Sequence, residues 1–217
     1  MRSSGSERSG RPEVRYLALG DSYTIGELVE PDERWPARLA ALLRKEGLAV
    51  RDPEIIARTG WTTDELAAGL DHAAPRGPFG LVTLQIGVND QYRGRDAGEY
   101  RDRFRVLLER AVGLAGGEAG RVIVVSIPDW GLTPFARGRD LAAIAAAIDR
   151  FNAVNREETD RAAARYLDIT TISRRPAAPG SETRVTSDGL HPTGAVYGEW
   201  ARHILPLALA ALGRPGD

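Results

Sequence analysis

The sequence predicts an α/β protein: one parallel sheet of five strands, covered by helices on both faces. Two observations carry this prediction. Five short runs, at about residues 14–19, 55–57, 81–86, 122–125 and 166–169, are apolar nearly throughout instead of alternating, as strands buried on both faces must be. Between them lie longer stretches whose apolar residues recur every three or four positions, the period of a helix with one buried face. A third observation adds direction. Polar and glycine-containing motifs stand directly after several strands, at the carboxyl ends where such sheets gather ligands.

Taken in order, the first strand stops at Gly20-Asp21-Ser22 and leads into a loop with Gly26 and Pro31. A helix over 35–48 follows, with Leu39, Leu42 and Leu43 at helical spacing and Gly47 as its stop. Ile55-Ile56-Ala57 is the second strand; Thr59-Gly60-Trp61 turns, and Thr62-Thr63-Asp64-Glu65 caps a helix carrying Leu66 and Leu70. The third strand, 81–86, precedes Gly87-Val88-Asn89-Asp90, and Phe104, Leu107, Leu108 and Val112 mark a helix over 100–114. After the strand 122–125, Leu141, Ile144, Ile148, Phe151 and Val154 predict a long helix over 140–165, leading into a short strand at 166–169. The last helix, about 193–212, turns Val196, Trp200, Ile204 and Leu207 inward and is expected to bend at Pro206.

Composition narrows the classes. At 217 residues with 42% apolar side chains, one core can be filled, and a single domain over 14–212 is expected. Residues 1–13 are polar and read as a disordered lead-in, and 213–217 as a tail. The 29 basic and 30 acidic side chains nearly cancel, so neither nucleic acid nor an anionic membrane is the expected partner; a small molecule is. There is no cysteine, which excludes disulfides, thiolate nucleophiles and Cys-ligated zinc. No run of 18 apolar residues and no secretory signal core are seen, so the expectation is a cytoplasmic protein without a membrane span, a mature secreted form reading the same way. A monomer or weak homodimer is expected.

A serine hydroxyl needs a base before it is a useful nucleophile. Of the three histidines, His72 and His203 fall on predicted helices, whereas His191 lies in Asp188-Gly189-Leu190-His191-Pro192. Asp188, three residues earlier, can curl back onto one imidazole nitrogen and leave the other for Ser22. The backbone N–H of Ser22, the N–H of Gly60 and the side-chain amide of Asn89 are the candidate donors for an oxyanion. Tyr23, Trp61, Tyr92 and Trp130 are the candidate walls of a substrate pocket, with Trp130 and Phe135 alternatively packing a long loop. Arg174, Arg175 and Arg184 are read as a solvated loop, with an anionic substrate group as the alternative. Asp21 and Asp90 are read as loop supports. No cluster at metal-ligand spacing accompanies them, and no cofactor is expected.

Together, Gly20-Asp21-Ser22, Gly60, Gly87-x-Asn89-Asp90 and Asp188-x-x-His191 resemble the SGNH hydrolase family, also called GDSL-type esterases and lipases. The resemblance spans about residues 14–205. It implies a flavodoxin-like three-layer α/β/α sandwich with a five-stranded parallel sheet. It also implies hydrolysis of carboxylic esters, thioesters or lysophospholipids through an acyl-enzyme. Tyr23 departs from the family pattern, which has leucine after the serine. The alternative from another class is a non-catalytic ligand-binding module on the same scaffold, or a degenerate hydrolase. Lys45 is the only lysine, so the lysines of P-loop and receiver domains are missing.

Overall fold

The computed structural model describes residues 13–175 and 184–213. Residues 1–12 of the expected lead-in and 214–217 of the expected tail lie outside the described residues. Five strands form one all-parallel sheet in the order β2-β1-β3-β4-β5, the flavodoxin-like order. They are β1 (Tyr16–Gly20), β2 (Glu54–Ala57), β3 (Leu81–Gln85), β4 (Val122–Val125) and β5 (Arg165–Leu167). The central three are wholly buried, whereas the edge strands β2 and β5 are only partly covered.

Among the described residues, eight α-helices accompany them: α1 (Ser22–Ile25), α2 (Trp35–Lys45), α3 (Thr63–Ala73), α4 (Val88–Tyr92), α5 (Ala97–Leu114), α6 (Leu141–Arg161), α7 (Thr170–Ser173) and α8 (Gly194–Ala211). Helix α2 packs along α8 to form one layer, and α3, α5 and α6 lie side by side as the other. Their burial follows the sequence period: Trp35, Leu39 and Leu43 of α2 and Ile144, Ile148, Phe151 and Val154 of α6 are all buried. Each such side chain contributes roughly 1.5–3 kcal/mol of transfer free energy when fully buried.

The differences from expectation have local causes. The long helix ends at Arg161, not 165, because Ala163 turns at φ 55° and sends the chain into β5 early. Ile169 does not extend that strand. Its N–H and that of Thr170 are taken by the Ser126 hydroxyl, while Asp168 accepts from the Thr170 and Thr171 N–H groups and starts α7. Val14 likewise precedes the first strand, forming only an isolated bridge to Val50. Helix α2 stops at Lys45, and the chain reverses through Gly47. Pro206 lies inside α8.

Strand order reverses between β1 and β3. The loops leaving these two neighbours run to opposite sides, opening a crevice at their carboxyl ends. Ser22 leaves β1 there and Asn89 follows β3.

Candidate active site

Gly20 ends β1 because nothing larger fits: a Cβ there would stand 2.1 Å from Thr24 Oγ1 and 2.5 Å from the Gln85 carbonyl oxygen. Asp21 then caps the short helix α1, its Oδ1 accepting the Tyr23 N–H at 3.0 Å. This cap fixes Ser22 as the first residue of the helix, 5% exposed, with its hydroxyl at the crevice.

The chain returns to Ser22 through the turn before α8. Asp188 Oδ1 accepts the N–H groups of Leu190 and His191 and the Thr186 hydroxyl, folding the turn about itself. Its Oδ2 lies 2.5 Å from His191 Nδ1, and His191 Nε2 lies 2.9 Å from Ser22 Oγ. Burial raises the Asp188 pKa, but hydrogen bonds from the His191 ring, the two N–H groups and Thr186 outweigh it and hold the carboxyl at about 2. With Asp188 ionised, Nδ1 carries the proton that faces it, and Nε2 accepts from the Ser22 hydroxyl. A hydroxyl joined to an imidazole that is backed by a carboxylate is a chain for moving one proton off oxygen. The Tyr23 ring packs against the imidazole, centroids 5.3 Å apart, and touches Trp200 behind it.

Gly60 sits after β2 at φ 82°, a conformation glycine adopts freely. Its turn is gripped from several sides. Arg93 donates to the Gly60 carbonyl at 2.7 Å, Asn89 Nδ2 to the Trp61 carbonyl at 2.9 Å, and the Thr59 hydroxyl to Glu27. Asn89 keeps its second amide hydrogen, and among the described residues no protein acceptor takes the N–H of Ser22 or Gly60. Asp90, fully buried, ties α4 to α3 by accepting the Thr63 N–H and hydroxyl, with Arg95 at 3.2 Å. Asp21 is buried almost as deeply. Burial pushes it up to about 7 against the Tyr23 hydrogen bond, the nearby Asp90 carboxylate adding to the rise.

A cavity of about 130 Å³ opens at the hydroxyl, lined by Ser22, Tyr23, Val88, Asn89, Tyr92, Trp130, Phe135, Leu190 and His191. Tyr23, Tyr92 and Trp130 are therefore at its wall. Trp61 is not: its indole lies against Gly69 of α3, where a Cβ would meet the ring at 2.3 Å. Gly60 borders the site through its turn without lining the cavity. Arg174 is neutralised by Asp129 and Asp149, and Arg184 is 3.5 Å from Glu199; both line, with Arg175, a separate cavity. Part of that loop, 176–183, lies outside the described residues. Two residues that sequence reasoning passed over, Gln91 and Arg93, brace Trp130 and Gly60 from α4. Arg93, four residues on from Asn89 at the end of that helix, had helical spacing as a signal, legible only if 88–92 is read as a helix; Gln91, two residues on, had none. Among the described residues no group of three His, Asp or Glu is placed to hold a metal ion, and no helix is long and apolar enough to cross a membrane.

No curated protein matches the sequence. Solved structures do match the fold. One is TesA, with a TM-score of 0.71 and 19% identity over 91% of this chain and 99% of that one. A psychrotrophic esterase, EstA, from a Pseudoalteromonas species, inhibited by monoethylphosphonate in the matched structure, gives 0.65 and 16% over 93% and 100%. An acetyl-xylooligosaccharide esterase from Geobacillus gives 0.65 and 19% over 92% and 94%. A sequence model of the GDSL-like lipase/acylhydrolase family matches residues 18–198. That match runs from inside β1 into α8 and takes in the other four strands and every motif that the crevice brings together, so the chain belongs to the GDSL-like lipase/acylhydrolase family.

Proposed function

We propose that this protein hydrolyses carboxylic esters through an acyl-enzyme, with Ser22 as nucleophile, His191 as base and Asp188 as the group that orients it. The observation that carries the reading is the unbroken chain from Asp188 through His191 to Ser22, at 2.5 and 2.9 Å, opening onto a cavity. Ser22 Oγ attacks the ester carbonyl carbon as His191 Nε2 takes its proton. The carbonyl π pair moves onto oxygen, where the N–H groups of Ser22 and Gly60 and the Asn89 amide donate to it. Collapse breaks the bond to the alcohol, which leaves with the proton from His191. Water then repeats the sequence on the acyl-serine, giving the acid and free Ser22. Asp188, held ionised, stabilises the imidazolium in both halves.

The phosphonate inhibition of the Pseudoalteromonas esterase suits the same chemistry, because a phosphonate mimics the tetrahedral intermediate on serine. Thioesters and lysophospholipids fit the mechanism equally. The test is turnover of p-nitrophenyl esters by wild type, Ser22→Ala and His191→Ala. Each variant is expected to lose roughly 10⁴ to 10⁶ in kcat. A folded Ser22→Ala protein with the wild-type rate overturns the assignment and leaves the ligand-binding alternative standing.

A further inference from the structure

The small cavity at Ser22 does not stand alone. A second one, about 590 Å³, adjoins it, and the two share Tyr23, Trp130 and Leu190 in their linings. Of the three shared side chains, Tyr23 is committed to the imidazole and Leu190 to the Asp188 turn. Trp130 touches neither. It belongs to a short turn after β4 that Asp129 anchors, accepting the Gly131 N–H and the Arg174 guanidinium. Its indole N–H donates to Gln91 Oε1 at 2.8 Å, and its ring meets Tyr92 edge-on at 5.5 Å and Phe135 at 6.0 Å. The indole is 4% exposed and held by α4, the helix that carries Asn89.

From this placement we infer that Trp130 sets the acyl length: the enzyme acts on short-acyl esters, and the indole closes off a chamber that longer chains need. This rests on the serine-hydrolase reading above. A cavity of about 130 Å³ holds on the order of four methylene-sized groups at ~30 Å³ each, the share a water takes in the liquid. Space of that size in front of the indole suits an acetyl or butyryl group better than an octanoyl chain. Apart from Ser22, Asn89 and His191, the lining in front is aromatic or aliphatic, two of its rings being tyrosines, so it suits an unsubstituted acyl chain. The indole is not soft: a hydrogen bond at one end and two rings at the other fix its orientation, so the wall persists without substrate.

The experiment is kcat/KM for p-nitrophenyl acetate, butyrate and octanoate with wild type, Trp130→Ala and Trp130→Phe. Labelling of Ser22 by a fluorophosphonate is run in parallel. Wild type is expected to favour acetate or butyrate over octanoate by at least tenfold, since one surplus methylene in a closed apolar site already costs on the order of 10 to 200-fold. Trp130→Ala joins the two cavities and raises the octanoate-to-acetate ratio at least tenfold; Trp130→Phe, which shortens the wall without emptying it, raises it less. The ratio is the readout because a general loss of activity cancels from it, and the phenylalanine variant serves if alanine does not fold. A wild type that prefers octanoate, or a ratio unmoved in a variant that still takes the phosphonate, overturns the role of Trp130 and leaves the ester hydrolase intact. A wild type that cleaves none of the esters and takes no phosphonate overturns both.

Discussion

Asp21 offers the sharpest test of how the site is held, because its carboxyl is buried where ionisation is costly. It is 1% exposed, and burial pushes its pKa from 3.8 up to about 7. At about 1.4 kcal/mol per unit, the protonated form is favoured by up to ~4 kcal/mol over the situation in the unfolded chain. The sign follows from the direction of the shift. A carboxyl that holds its proton more tightly in the folded state adds stability that is complete below pH 3.8 and is lost as pH rises through about 7. Asp21→Asn cannot ionise, and its amide oxygen still accepts the Tyr23 N–H. The stability of the variant relative to wild type should therefore climb by up to ~4 kcal/mol between pH 4 and pH 8.5. Urea unfolding of both proteins at five pH values measures it, and a fixed offset from the extra amide hydrogens does not matter, since only the slope is read. Parallel curves over that interval would show that Asp21 ionises at its ordinary value and that the burial argument fails.

The clamp on Gly60 gives a second expectation. Arg93→Ala frees the carbonyl that the guanidinium holds at 2.7 Å, and kcat should fall roughly tenfold with KM nearly unchanged, Arg93→Lys restoring part of it. A rise in KM alone would mean that Arg93 meets substrate instead of positioning the turn. Asn89→Ala removes both the oxyanion donor and the bond to Trp61, and kcat should drop by about 10² to 10³ in steady-state assays; a variant within threefold of wild type refutes a donor role. Gly20→Ala drives a methyl into Thr24 and the β3 backbone, and a melting curve should shift down by roughly 3 to 10 °C, an unchanged midpoint counting against the close approach.

The sheet was legible because its central strands are buried on both faces. Leu17, Ala18 and Leu19, or Val122 to Val125, have no solvent side on which polar residues would break the run. Helices α1, α4 and α7 were not, since four or five residues complete barely one turn and leave no period to detect. The fifth strand was displaced for a related reason. Its end is set by the Ser126 hydroxyl, 43 residues from Ile169 in sequence, and no local pattern reports such a partner. Site residues divide along the same line. Ser22, Asn89 and His191 follow strands or precede a helix, so topology alone puts them on one edge. Trp61 was misplaced because the groove that receives it depends on Gly69, two turns along α3, whose missing side chain says nothing in sequence about which ring will fill it.

Such ties, local and long-range together, also explain how this edge holds its geometry. Each chemical group sits on a segment too short to be stable by itself, and each segment is fixed by hydrogen bonds, some within it and some from a neighbouring segment. Asp21 caps the turn that carries Ser22, and Asp188 folds the turn that carries His191. Asp90 ties α4 to the start of α3, so Asn89 and the Gly60 turn move as one piece, and Arg93 and Asn89 then join that turn to α4 a second time. A free turn of four residues would lose about 1 kcal/mol or more of conformational entropy per residue on taking up the reactive geometry. Here that ordering occurs on folding, before substrate arrives, and binding energy is left for the transition state. Breaking any one tie should lower kcat while the circular dichroism spectrum stays native, because the sheet beneath does not depend on the edge above it. A tie whose loss instead melts the sheet would show that the edge and the core are one cooperative unit, and that the site is organised by global stability and not by its own bonds.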